Sequence, residues 1–271
     1  MKRTVILLLA FVALLFASTS AQAQYSRIAD IVGTDHNLSA TGPGSIKAET
    51  QTQICFYCHV PHQVQDTTDP AVTSGPANQP PLWNHYLSAK ASYGVYSSPS
   101  FDAMGTDISD LGGAVAGSAA VSNLCLSCHD GTVGVNTLYK GEYVSATGER
   151  QSPSFYDDTG AVSGPNVPVY MMADTQIGAG VYGLSSTHPL NFTYDAALAA
   201  KSISLQVPAV DTSGIGGARL GLTTSTGKFL PLFAGKMQCP SCHNVHSNAN
   251  GRPFLRASTN GSELCLGCHG K

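Results

Sequence analysis

The chain has 271 residues, of which 42% are hydrophobic and only 11% are charged, and its formal net charge is −3. A disordered chain combines low hydrophobicity with high net charge, so this composition argues against disorder. The 14 basic residues are outnumbered by 17 acidic ones and form no run beyond Lys2 and Arg3, which argues against nucleic-acid binding. The length allows one domain or two small ones.

The first 23 residues have the organisation of a secretory signal peptide. Two basic residues precede an apolar run over residues 5–17, and the sequence Ala-Gln-Ala ends at Ala23, where cleavage is predicted. A retained membrane helix is the alternative, but the run is shorter than the roughly 20 residues that span a bilayer. No cysteine precedes Cys55, so no lipid anchor is predicted. The expected product is one soluble domain over residues 24–271, secreted across the inner membrane.

All eight cysteines fall into four C-x-x-C pairs, and a histidine follows each pair directly. This is the attachment signature of c-type haem. In a tight helical turn both thiols reach one macrocycle as thioethers, and the next residue points at the iron as its proximal ligand. Disulfides or zinc are the alternatives for paired cysteines, but neither requires the histidines. The motifs, numbered 1 to 4, are Cys55-Cys58-His59, Cys125-Cys128-His129, Cys239-Cys242-His243 and Cys265-Cys268-His269.

The other five histidines are candidates for the second axial ligand of each iron. Two of them, His62 and His246, lie three residues after a motif histidine. Axial ligands approach from opposite faces, so each should bind a different haem from the histidine before it. Three extended residues span at most roughly 10 Å, which with two imidazoles places the irons within about 15 Å. The sequence therefore predicts closely packed haems, unless both are surface histidines.

The remaining three histidines are less constrained by the sequence. His188 precedes a proline that holds it extended among apolar residues, which favours a distal ligand over a turn histidine. His36 lies on an N-terminal arm, and His85 adjoins the only tryptophan, where packing or hydrogen bonding beside a haem competes with ligation. We predict two histidines on every iron, with methionine ligation as the alternative. The predicted distal ligands are His62, His246, His188 and His36, and the methionines are Met104, Met171, Met172 and Met237.

Outside the motifs the chain is rich in turn-forming residues, with 28 glycines and 15 prolines, and no stretch keeps helical periodicity over three turns. We predict a multihaem cytochrome c fold with little regular secondary structure, short helices at the haem motifs and a haem-stacked core. The other predicted elements are helices within 107–120 and 194–202 and strands over 139–144 and 168–172. The interval 130–238 is expected to wrap haems or to form a partner surface.

The charge of the mature chain bears on its partners. Removal of 23 residues with two basic side chains leaves 248 residues with 12 basic and 17 acidic side chains, a net charge of −5. A ferric haem with two propionates adds one negative charge and a ferrous haem adds two, so four haems bring the net charge to about −9 oxidised and about −13 reduced. Such an acidic carrier attracts basic partners at low salt.

At these motifs the chain resembles the bacterial multihaem c-type cytochromes with paired haem-binding motifs. Among them it looks most like the secreted tetrahaem cytochromes of metal-reducing bacteria that polymerise into extracellular filaments. The resemblance implies that other copies of the chain, redox-partner cytochromes or extracellular electron acceptors are its partners. It also implies that a histidine of one copy completes a haem in the next, and His36 is the candidate. The similarity is densest at residues 55–62, 81–88, 124–132, 186–192, 237–246 and 264–271.

Electron transfer and small-molecule reduction are the two functions to compare. An iron with two histidine ligands has no open position for substrate, which favours electron transfer. A reductase of small nitrogen compounds needs an open position, and five spare histidines for four irons argue against it. We predict an electron carrier that is not an enzyme, located outside the cell or at its surface. A monomeric periplasmic shuttle is the alternative.

Overall fold

A computed structural model of the chain describes residues 31–59, 83–88, 90, 92–103, 121–141, 143–144, 150–171, 176–177, 183–212, 218–248, 250 and 254–270. The predicted signal peptide over residues 1–23, His62, Met104, Met172 and the helix predicted within 107–120 lie outside these residues and stay predictions. Within the described ranges, no helix has the length and apolar character needed to cross a membrane.

Among the described residues regular secondary structure is sparse and every element is short, as the sequence predicts. Four helical segments coincide with the four C-x-x-C pairs, which confirms the short helices expected at the haem motifs. The helices are a 3₁₀ helix at Ile54–Tyr57, α1 at Ser122–His129, α2 at Ala196–Lys201, α3 at Cys239–Cys242, a second 3₁₀ helix at Asn260–Ser262 and α4 at Glu263–Leu266.

The strands form three small antiparallel sheets. They are β1 Lys47–Ala48, β2 Tyr143–Val144, β3 Arg150–Gln151, β4 Phe155–Tyr156, β5 Ala209–Asp211, β6 Arg219–Thr223 and β7 Phe229–Pro231. Strand β1 pairs with β4, β2 pairs with β3, and β5, β6 and β7 form a meander. In the meander Leu222 lies opposite Leu230, and both side chains are buried.

Two of the other predicted elements differ from the structure. The helix predicted within 194–202 is confirmed as α2, and Asp195 caps it by accepting a hydrogen bond from the Leu198 N–H at 2.8 Å. The strand predicted over 139–144 shrinks to β2. The strand predicted over 168–172 is wrong in its described part, because Val169 donates its N–H to the Asn136 side chain at 2.9 Å. The Asn136 side chain therefore occupies the position where a neighbouring strand would have to pair to extend a β-ladder.

The described side-chain core is divided into three small clusters that reach the haem motifs. One cluster, around Phe192, Tyr194 and Leu232, packs against Cys242 and Cys268. A second cluster surrounds Phe155 and Tyr57 and packs against Cys128, while the third contains Leu126 of α1. The apolar core thus ends at the cysteines rather than closing on itself.

Candidate haem-binding sites

One helical turn shapes each C-x-x-C-H motif. The histidine N–H donates to the carbonyl of the first cysteine at 2.7 Å in motif 1, 3.1 Å in motif 3 and 2.8 Å in motif 4. In motif 2 the whole pentapeptide lies within α1. The two thiols and the imidazole are therefore held within a single turn, as attachment to one macrocycle requires.

Segments distant in sequence fix the end of three motifs in the same way. The carbonyl of the second cysteine accepts a backbone N–H from Asn84 at 3.0 Å in motif 1, Arg256 at 2.8 Å in motif 3 and Gln206 at 2.8 Å in motif 4. The motif histidine forms an isolated antiparallel bridge with the residue just before that donor. Each motif is thus held at its histidine end by a second strand-like segment.

Two pairs of imidazoles have the ring-centre separation expected of two histidines that bind one iron atom. The ring centres of His59 and His246 are 6.1 Å apart with planes at 19°, and those of His36 and His129 are 6.1 Å apart with planes at 65°. Two imidazoles bound to opposite sides of one metal through bonds of about 2 Å have centres about 6 Å apart. Each pair joins a motif histidine to a histidine predicted as a distal ligand.

His36 lies within its own chain rather than reaching outward. Its ring stacks on the side chain of Phe254 with ring centres 4.6 Å apart. Phe254 lies near motif 3, where its carbonyl accepts from the Asn244 N–H. Burial, helped by the neighbouring His129, lowers the pKa of His36 to about 4. The arm is held by buried Asn37, which donates to the Val32 carbonyl at 2.9 Å. The cross-subunit role that the resemblance assigned to His36 therefore has no support in this arrangement.

The other candidate ligands have different surroundings. His85 is 1% exposed, and its Nδ1 and Nε2 lie 2.7 Å and 2.9 Å from the carbonyls of Tyr86 and Gly134, so the neutral ring donates a hydrogen bond to one of these two carbonyls. His188 is exposed, with Nδ1 at 2.9 Å from the Pro189 carbonyl, an arrangement that presents Nε2 for a metal. Met237 is buried in the cluster around Phe192, and Met171 packs against the cluster around Phe155.

The cysteine thiols bring motifs 2 and 3 together. Burial raises the pKa of Cys58, Cys128 and Cys268 to about 12. Cys125 and Cys239 share a hydrogen bond, which raises the pKa of Cys125 and lowers that of Cys239 to about 7. The first thiols of two motifs therefore touch, so their two attachment points adjoin.

The described residues do not form the alternative cysteine sites. None of the eight cysteines is in a disulfide. Across the described ranges, no three side chains of histidine, cysteine, aspartate or glutamate are grouped to hold a metal ion. Among these residues the paired cysteines are therefore not arranged as the zinc alternative requires.

A buried polar network that the sequence does not reveal joins α1 to α3. The Gln238 side chain accepts from the N–H of Ser122 at 3.1 Å and from its hydroxyl, and donates to Asn191 Oδ1 at 2.6 Å. The Ser122 hydroxyl in turn accepts from the Cys239 N–H at 3.0 Å. Gln238, Asn191 and Ser122 are all 0% exposed. The sequence indicates this network only through the position of Gln238 directly before motif 3. Its partners Ser122 and Asn191 are remote in sequence.

Trp83 offers a further test of whether a haem fits at motif 1. Its ring lies edge-on to His59 with centres 6.1 Å apart, and its buried Nε1–H has no hydrogen-bond partner among the described residues. A buried indole N–H usually finds an acceptor, and a haem propionate is one. With the paired thiols and the facing imidazoles, these residues fit covalently bound haem.

A family model described as the doubled CXXCH motif matches residues 231–271, which hold motifs 3 and 4. The match supports a multihaem c-type cytochrome that binds haem c covalently through these motifs, a class whose chemistry is electron transfer. No curated protein matches the chain.

Proposed function

We propose that this protein is a secreted electron carrier with four c-type haems, each held between two histidines, and that its copies assemble into an extracellular filament. The two imidazole pairs with centres 6.1 Å apart carry the proposal. In both pairs the two histidines come from segments distant in sequence, so folding itself assembles the ligand set. The proposed pairs are His59 with His246 and His36 with His129.

The residues of the chain favour electron passage over bond chemistry. Bound haem c supplies an iron that alternates between Fe(III) and Fe(II) by one electron. Imidazoles on both faces exclude water and substrates from the metal. The touching Cys125 and Cys239 side chains bring the attachment points of motifs 2 and 3 together, which shortens the path between redox centres.

We expect His246→Ala and His36→Ala each to convert one haem of the four from low spin to high spin. Each substitution removes one axial nitrogen and leaves the thioether cysteines in place. The signals lost should differ, because near-parallel imidazole planes give a rhombic low-spin signal and near-perpendicular planes give a single low-field feature. Electron paramagnetic resonance and absorption spectra of the purified protein measure both effects.

The matched control for these two variants is His85→Gln, which keeps a hydrogen-bonding side chain at a position assigned to no iron. It should retain four low-spin haems, and mass spectrometry should show four haem groups in every variant. Unchanged spin states in both His246→Ala and His36→Ala would refute the proposed ligand pairs.

A monomeric shuttle is the second candidate, because His36 is occupied within its own chain. The filament then needs another histidine to connect the copies. His188 is exposed, and its Nδ1 contact orients the ring, so we propose that it ligates a haem of the neighbouring copy. The filament and the shuttle therefore differ in the role of His188. In the filament it binds a haem of the neighbouring copy, and in the shuttle it does not.

We expect His188→Ala to abolish filaments while the monomer keeps four covalently bound haems. Electron micrographs of the secreted parent protein and of the variant test this. His269 is also exposed and stays unchanged in both proteins. Filaments of equal length in parent and variant contradict the role of His188. A parent protein that forms no filaments supports the shuttle.

A further inference from the structure

A buried carboxylate directly follows the proximal histidine of motif 2. Asp130 lies at the C-terminal end of α1, next to His129, and is 2% exposed. One oxygen accepts from the hydroxyls of Ser88 and Tyr93, the latter at 2.6 Å, and the other accepts from the Thr132 N–H at 2.9 Å and hydroxyl at 2.8 Å. Every contact is with a donor, as an ionised carboxylate requires.

Hydrogen bonds, and no ion pair, hold this charge within the protein. Among the described residues an ion pair joins Arg219 to Asp211, and Asp130 takes part in none. Lys90 lies over the Tyr93 ring with Nζ 5.1 Å from its centre. A buried carboxylate is costly without a compensating charge. A ferric iron bound by the adjacent His129 supplies such a charge.

The carboxylate also lies within electrostatic range of the haem attachment residues. Burial is the main cause that raises the pKa of Cys128 to about 12, and the Asp130 charge raises it further. In the other three motifs the residue after the histidine is Val60, Asn244 or Gly270. Of the four motifs, only motif 2 therefore has an acidic residue directly after its histidine.

We propose that the Asp130 carboxylate lowers the reduction potential of the haem held by motif 2 relative to the other haems. The inference rests on the proposed function, because it requires His129 to bind an iron. Reduction takes one electron from an external donor and removes one positive charge from the iron, so it weakens the attraction to the fixed negative charge. Asp130 is thus a tuning residue that makes this haem harder to reduce than it would be without the carboxylate.

The test is Asp130→Asn, which keeps the shape of the side chain and removes its charge. At an effective dielectric constant of about 20, two unit charges would have to be about 12 Å apart for their interaction to change an equilibrium about tenfold, a separation we assume for Asp130 and the iron. We therefore expect the equilibrium constant for reduction of the motif 2 haem to rise about tenfold and those of the other haems to change less. Redox titration followed by NMR resolves the haems individually.

The matched control is Asp157→Asn. Asp157 forms the same kind of turn, accepting from the Thr159 N–H at 2.9 Å and hydroxyl at 2.7 Å, but it is only half-buried. This variant should leave all four potentials unchanged. An equal shift in both variants, or no shift in Asp130→Asn, overturns the inference.

A second variant, Tyr93→Phe, tests the same charge with the carboxylate retained. It removes one donor, so the negative potential at the haem grows and reduction becomes less favourable, opposite in sign to Asp130→Asn. If Asp130 had only a structural role, the two variants would not shift the reduction potential in opposite directions. A raised potential in Tyr93→Phe overturns the inference. A parent protein without four low-spin haems refutes the proposed function instead, so the two failures are distinguishable.

Discussion

A chain produced without haem attachment, with its thiols kept reduced, is expected to lose its tertiary structure. The described helices have four to eight residues in the motifs, and the strands have two to five. Isolated helices shorter than about 12 residues are marginal in water, and small strand pairs are not independently stable. Two of the three core clusters end at Cys128, Cys242 and Cys268, where the haem faces would continue them.

Near-ultraviolet circular dichroism and denaturant unfolding measure this loss. We expect no aromatic dichroism and no cooperative transition in the haem-free chain, against a cooperative transition in the haem-loaded protein. A haem-free chain that unfolds cooperatively would show that the side chains alone form a sufficient core.

A pair of matched variants tests the same idea one motif at a time. In α1 four residues are buried, namely Ser122, Asn123, Leu126 and Ser127, whereas α4 has none. Replacing both cysteines of motif 2 by alanine should therefore destabilise the protein more than the same change in motif 4. The reverse order would place the structural centre of the molecule elsewhere.

The local features of the fold followed from the sequence because they depend on spacing. The C-x-x-C-H pattern is one helical turn long, and all four motifs form that turn. The helix α2 follows an aspartate cap and a run of alanine and leucine, both of which are local signals. The strand expected over 168–172 failed because its hydrogen-bond partner is the side chain of Asn136, which no periodicity reveals.

The features of the site that depend on remote contacts could not be predicted in detail. Four spare histidines were named as distal ligands, but the sequence does not say that His246 faces His59 or that His36 faces His129. The resemblance offers His36 as a ligand for a neighbouring copy, and the sequence does not reveal that its ring packs on Phe254 of the same chain. The roles of Asp130 and Gln238 depend on burial, and polar residues carry no hydrophobic pattern that signals it.

Gln238→Ala is expected to lower the free energy of unfolding by about 3 kcal/mol, since it removes the buried hydrogen bonds of Gln238 with the Ser122 N–H and Asn191 Oδ1, and loss of one partner of a buried hydrogen bond costs about 1–3 kcal/mol. Denaturant unfolding of the haem-loaded protein gives this value. The network also joins α1 to α3, which carry the touching thiols of Cys125 and Cys239. Its loss should therefore weaken the exciton splitting of Soret circular dichroism between the haems of motifs 2 and 3.

The control is Gln206→Ala, since Gln206 is exposed and its side chain donates one hydrogen bond, to the Leu266 carbonyl at 2.6 Å. Surface substitutions of this kind change stability by about 0.5 kcal/mol. Equal losses in the two variants would mean that the buried network contributes no more than a surface contact. A stability loss in Gln238→Ala without a change in the Soret signal would mean that other contacts set the spacing of the two motifs. The spectroscopic readout thus separates the positioning of the redox centres from the stability of the fold.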